Sequence, residues 1–255
     1  MYRLERRSLI VLAALSLALT ACAHTLASPQ TGEALHSTAI PTSGTPNIEA
    51  ATQEAGVGEK VDMTGNTEAS ILALVNKKNP LPSSYAPEDL VTVAVPTVLD
   101  NPEVNQARKE PADALVSLFA AAEEAGYRLY ARSGYRSYAT QEALYAGYSD
   151  KHGEDEANRF SAKAGQSEHQ TGLAMDITSE SVSLQLSEDF GMTEEGQWVA
   201  ANAHRYGFII RYPQDQEKIT GYLYEPWHLR YLGVDMATQV YESGLTYEQF
   251  VSERG

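Results

Sequence analysis

Cysteine is almost absent: Cys22 is the only one among 255 residues. No disulfide can form within the chain, and no cysteine competes for a metal. Positive charge is scarce, with 19 Lys and Arg against 34 Asp and Glu and a formal net charge of −15. That balance excludes nucleic acid as a partner, because neutralising phosphates takes a basic stripe. It also denies the folded part an electrostatic hold on an anionic membrane. An apolar run of bilayer length is missing as well, since Leu9 to Ala21 is too short for a comfortable span and no stop-transfer pattern follows it. No internal repeat at a fixed period is present. What is there is 43% hydrophobic and includes 15 tyrosines, enough for a sizeable core.

The N-terminus has its own logic. Arg3, Arg6 and Arg7 form a positive region ahead of the apolar run, which ends in Leu19-Thr20-Ala21-Cys22. That ending resembles a bacterial lipobox, in which cleavage precedes a lipid-modified cysteine. Residues 1–21 are therefore expected to be a lipoprotein signal peptide and Cys22 the lipidation site, with acyl chains tethering the protein to a membrane. Residues 22–67 are rich in Thr, Ser, Ala, Pro, Gly and Glu without a sustained period, which predicts a flexible tether. His24 and His36 fall in it and read as bystanders.

A folded domain is expected over 68–255. Leu115, Leu118, Phe119 and Ala122 share one face at helical spacing, so Pro111 to Glu124 predicts a helix, with Gly126 placed to close it. Further helices are predicted over Tyr138–Tyr148, Glu194–Tyr206 and Val234–Glu242. Strands are predicted over Tyr127–Ser133, Gly172–Thr178, Phe208–Ile210 and Trp227–Tyr231. Asn79 to Pro87 reads as an extended arm, and Thr246 with Gln249 as a capping box for a last short helix. Long helices first and short strands after indicate an α+β fold.

Three segments gather chemistry: Ser167-Glu168-His169-Gln170-Thr171-Gly172-Leu173-Ala174-Met175-Asp176, Glu225-Pro226-Trp227-His228, and Ser133-Gly134-Tyr135-Arg136-Ser137 with Gln141 beyond it. A hydrolytic zinc site needs about three His or carboxylate ligands and an open position. It also needs a carboxylate, not itself a ligand, that takes a proton from water. His169 and Asp176 are seven residues apart with Gly172 between them, so a turn there would bring both to one metal. Glu225 and His228 are three apart, on opposite faces of a regular strand, but Pro226 disfavours regular pairing and would reorient Glu225. Taken singly, each pattern also suits a structural role: His169 with Asp176 as a buried ion pair, Trp227 as a core anchor, Arg136 in a surface ion pair. His152, in a polar loop, and His204, on a helix face, read as solvated or structural.

Together the segments resemble the VanY-type D-alanyl-D-alanine carboxypeptidases. The pattern Ser-x-His-x-x-Gly-x-Ala-x-Asp is met at Ser167, His169, Gly172, Ala174 and Asp176, Glu-x-Trp-His at Glu225, Trp227 and His228, and Ser-Gly-Tyr-Arg-Ser at 133–137. The resemblance implies a small antiparallel sheet that carries a zinc site and is flanked by helices. It implies that His169, Asp176 and His228 ligate one Zn2+ ion, that Glu225 is the catalytic base, and that Arg136 faces the scissile carbonyl oxygen. Ser167, Gln141 and Ser137 are implied as substrate-binding positions. The implied activity is removal of the C-terminal D-alanine from peptidoglycan stem peptides or their precursors, outside the membrane to which Cys22 tethers the chain. The alternatives are an L,D-carboxypeptidase acting on tetrapeptide stems, an endopeptidase with an open cleft, and a cell-wall binding module that keeps the fold without the activity.

Overall fold

A computed structural model of the protein describes residues 70–254. The expected signal peptide, the Cys22 lipidation site and the tether lie outside the described residues. The elements follow one another as β1 (Leu90–Thr92), β2 (Gln106–Arg108), α1 (Lys109–Glu124), β3 (Tyr130–Ser133), α2 (Tyr138–His152), α3 (Glu154–Phe160), β4 (Ala174–Thr178), α4 (Glu194–Asn202), β5 (Phe208–Tyr212), α5 (Glu217–Thr220), β6 (Glu225–Tyr231), α6 (Val234–Ser243) and α7 (Tyr247–Arg254). Strands β1 and β2 pair antiparallel, and a second antiparallel sheet runs in the order β3-β4-β6-β5. The fold is α+β, as the order of periodic segments implied.

Period-two alternation along the central strands gives the sheet two different faces. Met175, Ile177, Leu229 and Tyr231 point into the main core. There they meet Leu115, Leu118, Phe119 and Ala122, the buried stripe of α1. The opposite face of the same strands carries Asp176, His228 and Arg230. Register decides which of these meet: Asp176 lies directly across from His228, and Ala174 across from Arg230.

Several boundaries differ from expectation for visible reasons. Strand β3 begins at Tyr130 rather than Tyr127 because Tyr127 N–H donates back to Ala122 O and Gly126 N–H to Glu123 O, closing α1. Helix α2 runs on to His152, so that residue lies in a helix rather than a loop, and stops at Gly153, whose φ is +84°. The helix expected over 194–206 ends at Asn202 and continues as a 3-10 turn up to Gly207. Strand β6 starts two residues early, at Glu225. Opposite it the register shifts between Ile210 and Tyr212, so Pro226, which has no N–H to give, sits at an irregularity of the ladder.

The arm over 79–87 is tied to the rest of the domain rather than loose. Leu81 N–H donates to Gly165 O, and the Gln170 amide donates to the carbonyls of Pro82 and Tyr85.

Candidate active site

Asp176 and His228 form a cross-strand pair on β4 and β6, and the turn that precedes β4 delivers His169. Residues Glu168–Thr171 make one 3-10 turn, capped by Ser167 Oγ, which accepts from His169 N–H. Gly172 ends it with φ +67°, and a Cβ there would meet Arg108 Cγ at 2.9 Å. The chain doubles back at this point, so the glycine serves both the reversal and the close approach to β2. One ligand atom from each of His169, Asp176 and His228 then lies within 4.8 Å of the others. His169 Nε2 is 3.4 Å from Asp176 Oδ2, and His228 Nδ1 is 3.1 Å from Asp176 Oδ1.

The far nitrogen of each histidine is also occupied. His169 Nδ1 lies 2.7 Å from Gly134 O, which leaves Nε2 to face the cluster. His228 Nε2 lies 3.4 Å from Glu168 Oε2, which leaves Nδ1 to face it. The Tyr212 ring packs on His228 with centroids 4.9 Å apart and fixes its plane.

These groups suit a bound cation. Asp176 Oδ1 is buried with no hydrogen-bond partner, although His228 Nδ1 is only 3.1 Å away, so a carboxylate oxygen and an imidazole nitrogen converge on one point without the geometry of a hydrogen bond. Two imidazole nitrogens and one carboxylate oxygen are the donor set of a hydrolytic metal site with a position left open.

Glu225 stands on the same side of β6 as His228, with Oε2 3.8 Å from Nδ1. The irregularity at Pro226 brings this about, since a regular strand would set residues three apart on opposite faces. Burial pushes the Glu225 carboxyl up to about 8, His228 and Arg136 pulling it down and Asp176 adding to the rise. Burial disfavours the charged form of His228 too, but the Asp176 and Glu168 carboxylates outweigh that and raise it to about 9. His169 goes the other way, lowered by burial.

Arg136 is held by two neighbours: Nη1 donates to Gln141 Oε1 at 2.7 Å and Nη2 to Ser133 Oγ at 2.9 Å. Gln141 is buried on α2, and its amide donates in turn to Ala162 O at 2.6 Å. The Gln141 side chain therefore orients the guanidinium. Ser137 Oγ is engaged as the N-cap of α2, accepting from Thr140 N–H, while its own N–H donates to Glu103. His204 lies away from the cluster, stacked on Tyr241, and His152 packs edge-on against Phe160.

Arg136, Ser167, His169, Asp176, Glu225 and His228 line a single cleft of about 340 Å3. Tyr148, Phe160, Tyr222, Tyr224 and Trp227 supply its aromatic walls. A few convergent polar groups at the base of an apolar cleft are what a small peptide end requires. The family model for VanY, described as D-alanyl-D-alanine carboxypeptidase, matches residues 104–234. The chain belongs to this family. The putative carboxypeptidase YodJ of Bacillus subtilis (strain 168) is 49% identical over 182 residues, which are 71% of this chain and 67% of that protein. Among solved structures, the LdcB LD-carboxypeptidase is 48% identical with a TM-score of 0.70, covering 72% of this chain and 87% of that one. The vancomycin resistance D,D-pentapeptidase VanY from a VanB-type cassette, a variant solved with Zn(II), is 34% identical with a TM-score of 0.57, covering 71% of this chain and 98% of that one. Like its relatives, this VanY-family chain is a hydrolase of the carboxypeptidase type.

Reading from sequence left out one part of the site: Glu168, with Arg211 and Arg230 behind it. All three side chains are fully buried, and Glu168 Oε1 accepts from Arg211 Nε and Arg230 Nη1, each at 2.7 Å. The two guanidiniums outweigh burial and hold Glu168 well below the usual carboxylate range. A signal was available at Arg230, because an arginine inside the strand expected over Trp227–Tyr231 demands a buried counter-charge, whereas Arg211 fell just past the strand expected over Phe208–Ile210.

Proposed function

We propose that this protein is a zinc carboxypeptidase that removes the C-terminal D-alanine from peptidoglycan stem peptides ending in D-Ala-D-Ala. The observation that carries this is the convergence of His169, Asp176 and His228 around an unpartnered carboxylate oxygen, with Glu225 3.8 Å from one ligand atom. Those three residues would hold the zinc, which when bound supplies a Lewis acid and lowers the pKa of a water. Glu225 takes the proton from the attacking water at its carboxylate and passes it to the departing amine nitrogen. Its raised pKa suits exchange in both directions near neutrality. Arg136, oriented by Gln141 and Ser133, donates to the scissile carbonyl oxygen and stabilises the negative charge that builds there. Ser167, which lines the cleft, is proposed to meet the substrate; Gln141, buried and outside the lining, would act through its hold on Arg136, and Ser137, outside the lining too, through its cap on α2.

A second reading is removal of D-alanine from a tetrapeptide, after an L,D bond. The 48% identity to the LdcB LD-carboxypeptidase favours it, against 34% to the D,D-pentapeptidase. Release of free D-alanine from synthetic pentapeptide and tetrapeptide stems, with and without a zinc chelator, separates the readings. Chelator-sensitive release from the pentapeptide supports the D,D activity, and release from the tetrapeptide alone moves the assignment to L,D. No release from either, with zinc bound, overturns both.

Residues 1–21, 22–67 and 68–255 are proposed as signal peptide, tether and catalytic domain. Cys22 would carry the lipid that anchors the chain at the outer face of a bacterial membrane, close to its substrate. The support is the Arg3, Arg6 and Arg7 region followed by Leu19-Thr20-Ala21-Cys22. Metabolic labelling with a fatty acid should mark the wild-type protein and fail on Cys22→Ser. Equal labelling of both would sink the anchor.

A further inference from the structure

The buried pair of Glu168 and His228 has a geometry that a structural ion pair does not require. A neutral imidazole carries one proton, and a histidine that ligates through Nδ1 must keep it on Nε2. Glu168 meets that condition. Its Oε1 is filled by Arg211 and Arg230, and the remaining oxygen, Oε2, stands 3.4 Å from His228 Nε2. With two guanidiniums on it the carboxylate stays ionised, so it can only accept. With a metal at Nδ1, which faces Asp176, Glu168 is thus placed to accept the proton that the imidazole keeps on Nε2.

Glu168 is itself held from both ends of the described chain. Arg230 Nη2 donates to the carbonyls of Ile71 and Ala73, at the start of the domain. Arg211 makes a two-point contact with Glu248 on α7, with Nη1 and Nη2 at 2.8 and 2.6 Å.

We infer that Glu168 is a positioning residue: through its contact with Nε2 it fixes the tautomer and ring orientation in which His228 presents Nδ1 to the metal, and so sets metal affinity. The inference rests on the zinc reading above and names the residue that makes His228 a ligand. A carboxylate behind a ligating histidine commonly supports tighter metal binding.

Zinc dissociation constants of the full chain, measured by competition with a chromogenic chelator, test it in wild type, Glu168→Gln and Glu248→Gln. Glu248→Gln takes a charge from the same arginine cluster but leaves the Glu168–His228 contact in place. Zinc affinity should fall about 10- to 100-fold in Glu168→Gln and stay within about twofold of wild type in Glu248→Gln. The visible spectrum of the Co(II)-substituted protein should change in the first variant alone. Equal affinities in wild type and Glu168→Gln, or equal losses in both variants, overturn the inference. Should Glu168→Gln fail to fold, nitrogen-15 NMR of zinc-loaded wild type decides. The His228 proton on Nε2 supports the inference, and ligation through Nε2 with the proton on Nδ1 overturns it. Wild type that takes up no zinc overturns the zinc reading itself, a separate result.

Discussion

At Glu225 the acid–base role can be separated from the metal. Its carboxyl is buried beside His228 without belonging to the convergent set of His169, Asp176 and His228. Glu225→Gln preserves shape and leaves all three donor groups intact, so zinc content per chain should stay at the wild-type level. Turnover should fall about 10²- to 10⁴-fold, the usual worth of a positioned acid–base group. Metal analysis beside D-alanine release checks both halves, and a variant active at full zinc loading removes Glu225 from the base role. Arg136 invites a second change. Its guanidinium reaches Gln141 and Ser133 together, whereas a lysine ammonium is a point charge without that fork. Arg136→Lys should therefore lower kcat by about 10²-fold, as loss of an oriented oxyanion donor does, with a smaller change in KM. A raised KM at unchanged kcat would make Arg136 a substrate-binding group instead.

Among the elements, β3 and its sequel show how backbone packing supports the site. A Cβ on Gly134 would collide with the Gln106 carbonyl of β2 and the Met175 side chain, and Gly134 O is the partner of His169 Nδ1. Gly134→Ala should cost about 1–3 kcal/mol through overpacking and also weaken zinc binding, because the carbonyl must move. Thermal melts of metal-free protein and a zinc titration would show the two effects together; stability lost at unchanged affinity would separate them. The last helix gives a milder case. Thr246 Oγ1 accepts from Gln249 N–H, and Gln249 Oε1 accepts from Thr246 N–H, a reciprocal cap on the element that carries Glu248. Thr246→Ala should cost about 0.5–2 kcal/mol in denaturant unfolding. That cap was legible in the sequence, as were α1 from its apolar stripe and the turn at Gly172 between His169 and Asp176. Each is encoded within a few residues. Strands β1 and β2, three residues each, are too short to show a period. Helix α3 is nearly all polar and presents no apolar face. Glu168 meets Arg211 and Arg230 across 43 and 62 residues, a distance over which no local pattern announces a pairing.

For the molecule as a whole, metal and protons compete for the same buried groups. In the metal-free chain His228 rises from 6.5 to about 9, so the stability it contributes is fully present below pH 6.5 and is lost as pH climbs through 9. Glu225, raised by burial from 4.5 to about 8, adds a loss between those values. Glu168 and Asp176 are lowered, so their contribution is complete above pH 4.5 and disappears only on acidification. Metal-free protein should thus lose stability from pH 6.5 to 9. Zinc offsets the His228 part of that loss, because ligation by His228 Nδ1 expels a proton that costs less to remove as pH rises. At a fixed, buffered concentration of free zinc, affinity should increase up to about tenfold per pH unit below 9, or about 1.4 kcal/mol for each proton released. Added stability follows affinity once free zinc exceeds the dissociation constant. The gap in Tm between zinc-loaded and chelated protein should therefore widen steadily from pH 6.5 to 9. Differential scanning calorimetry of both forms across that range measures it. A gap that stays flat would mean that His228 holds no proton when the metal is gone, and that its two carboxylate neighbours fail to outweigh its burial.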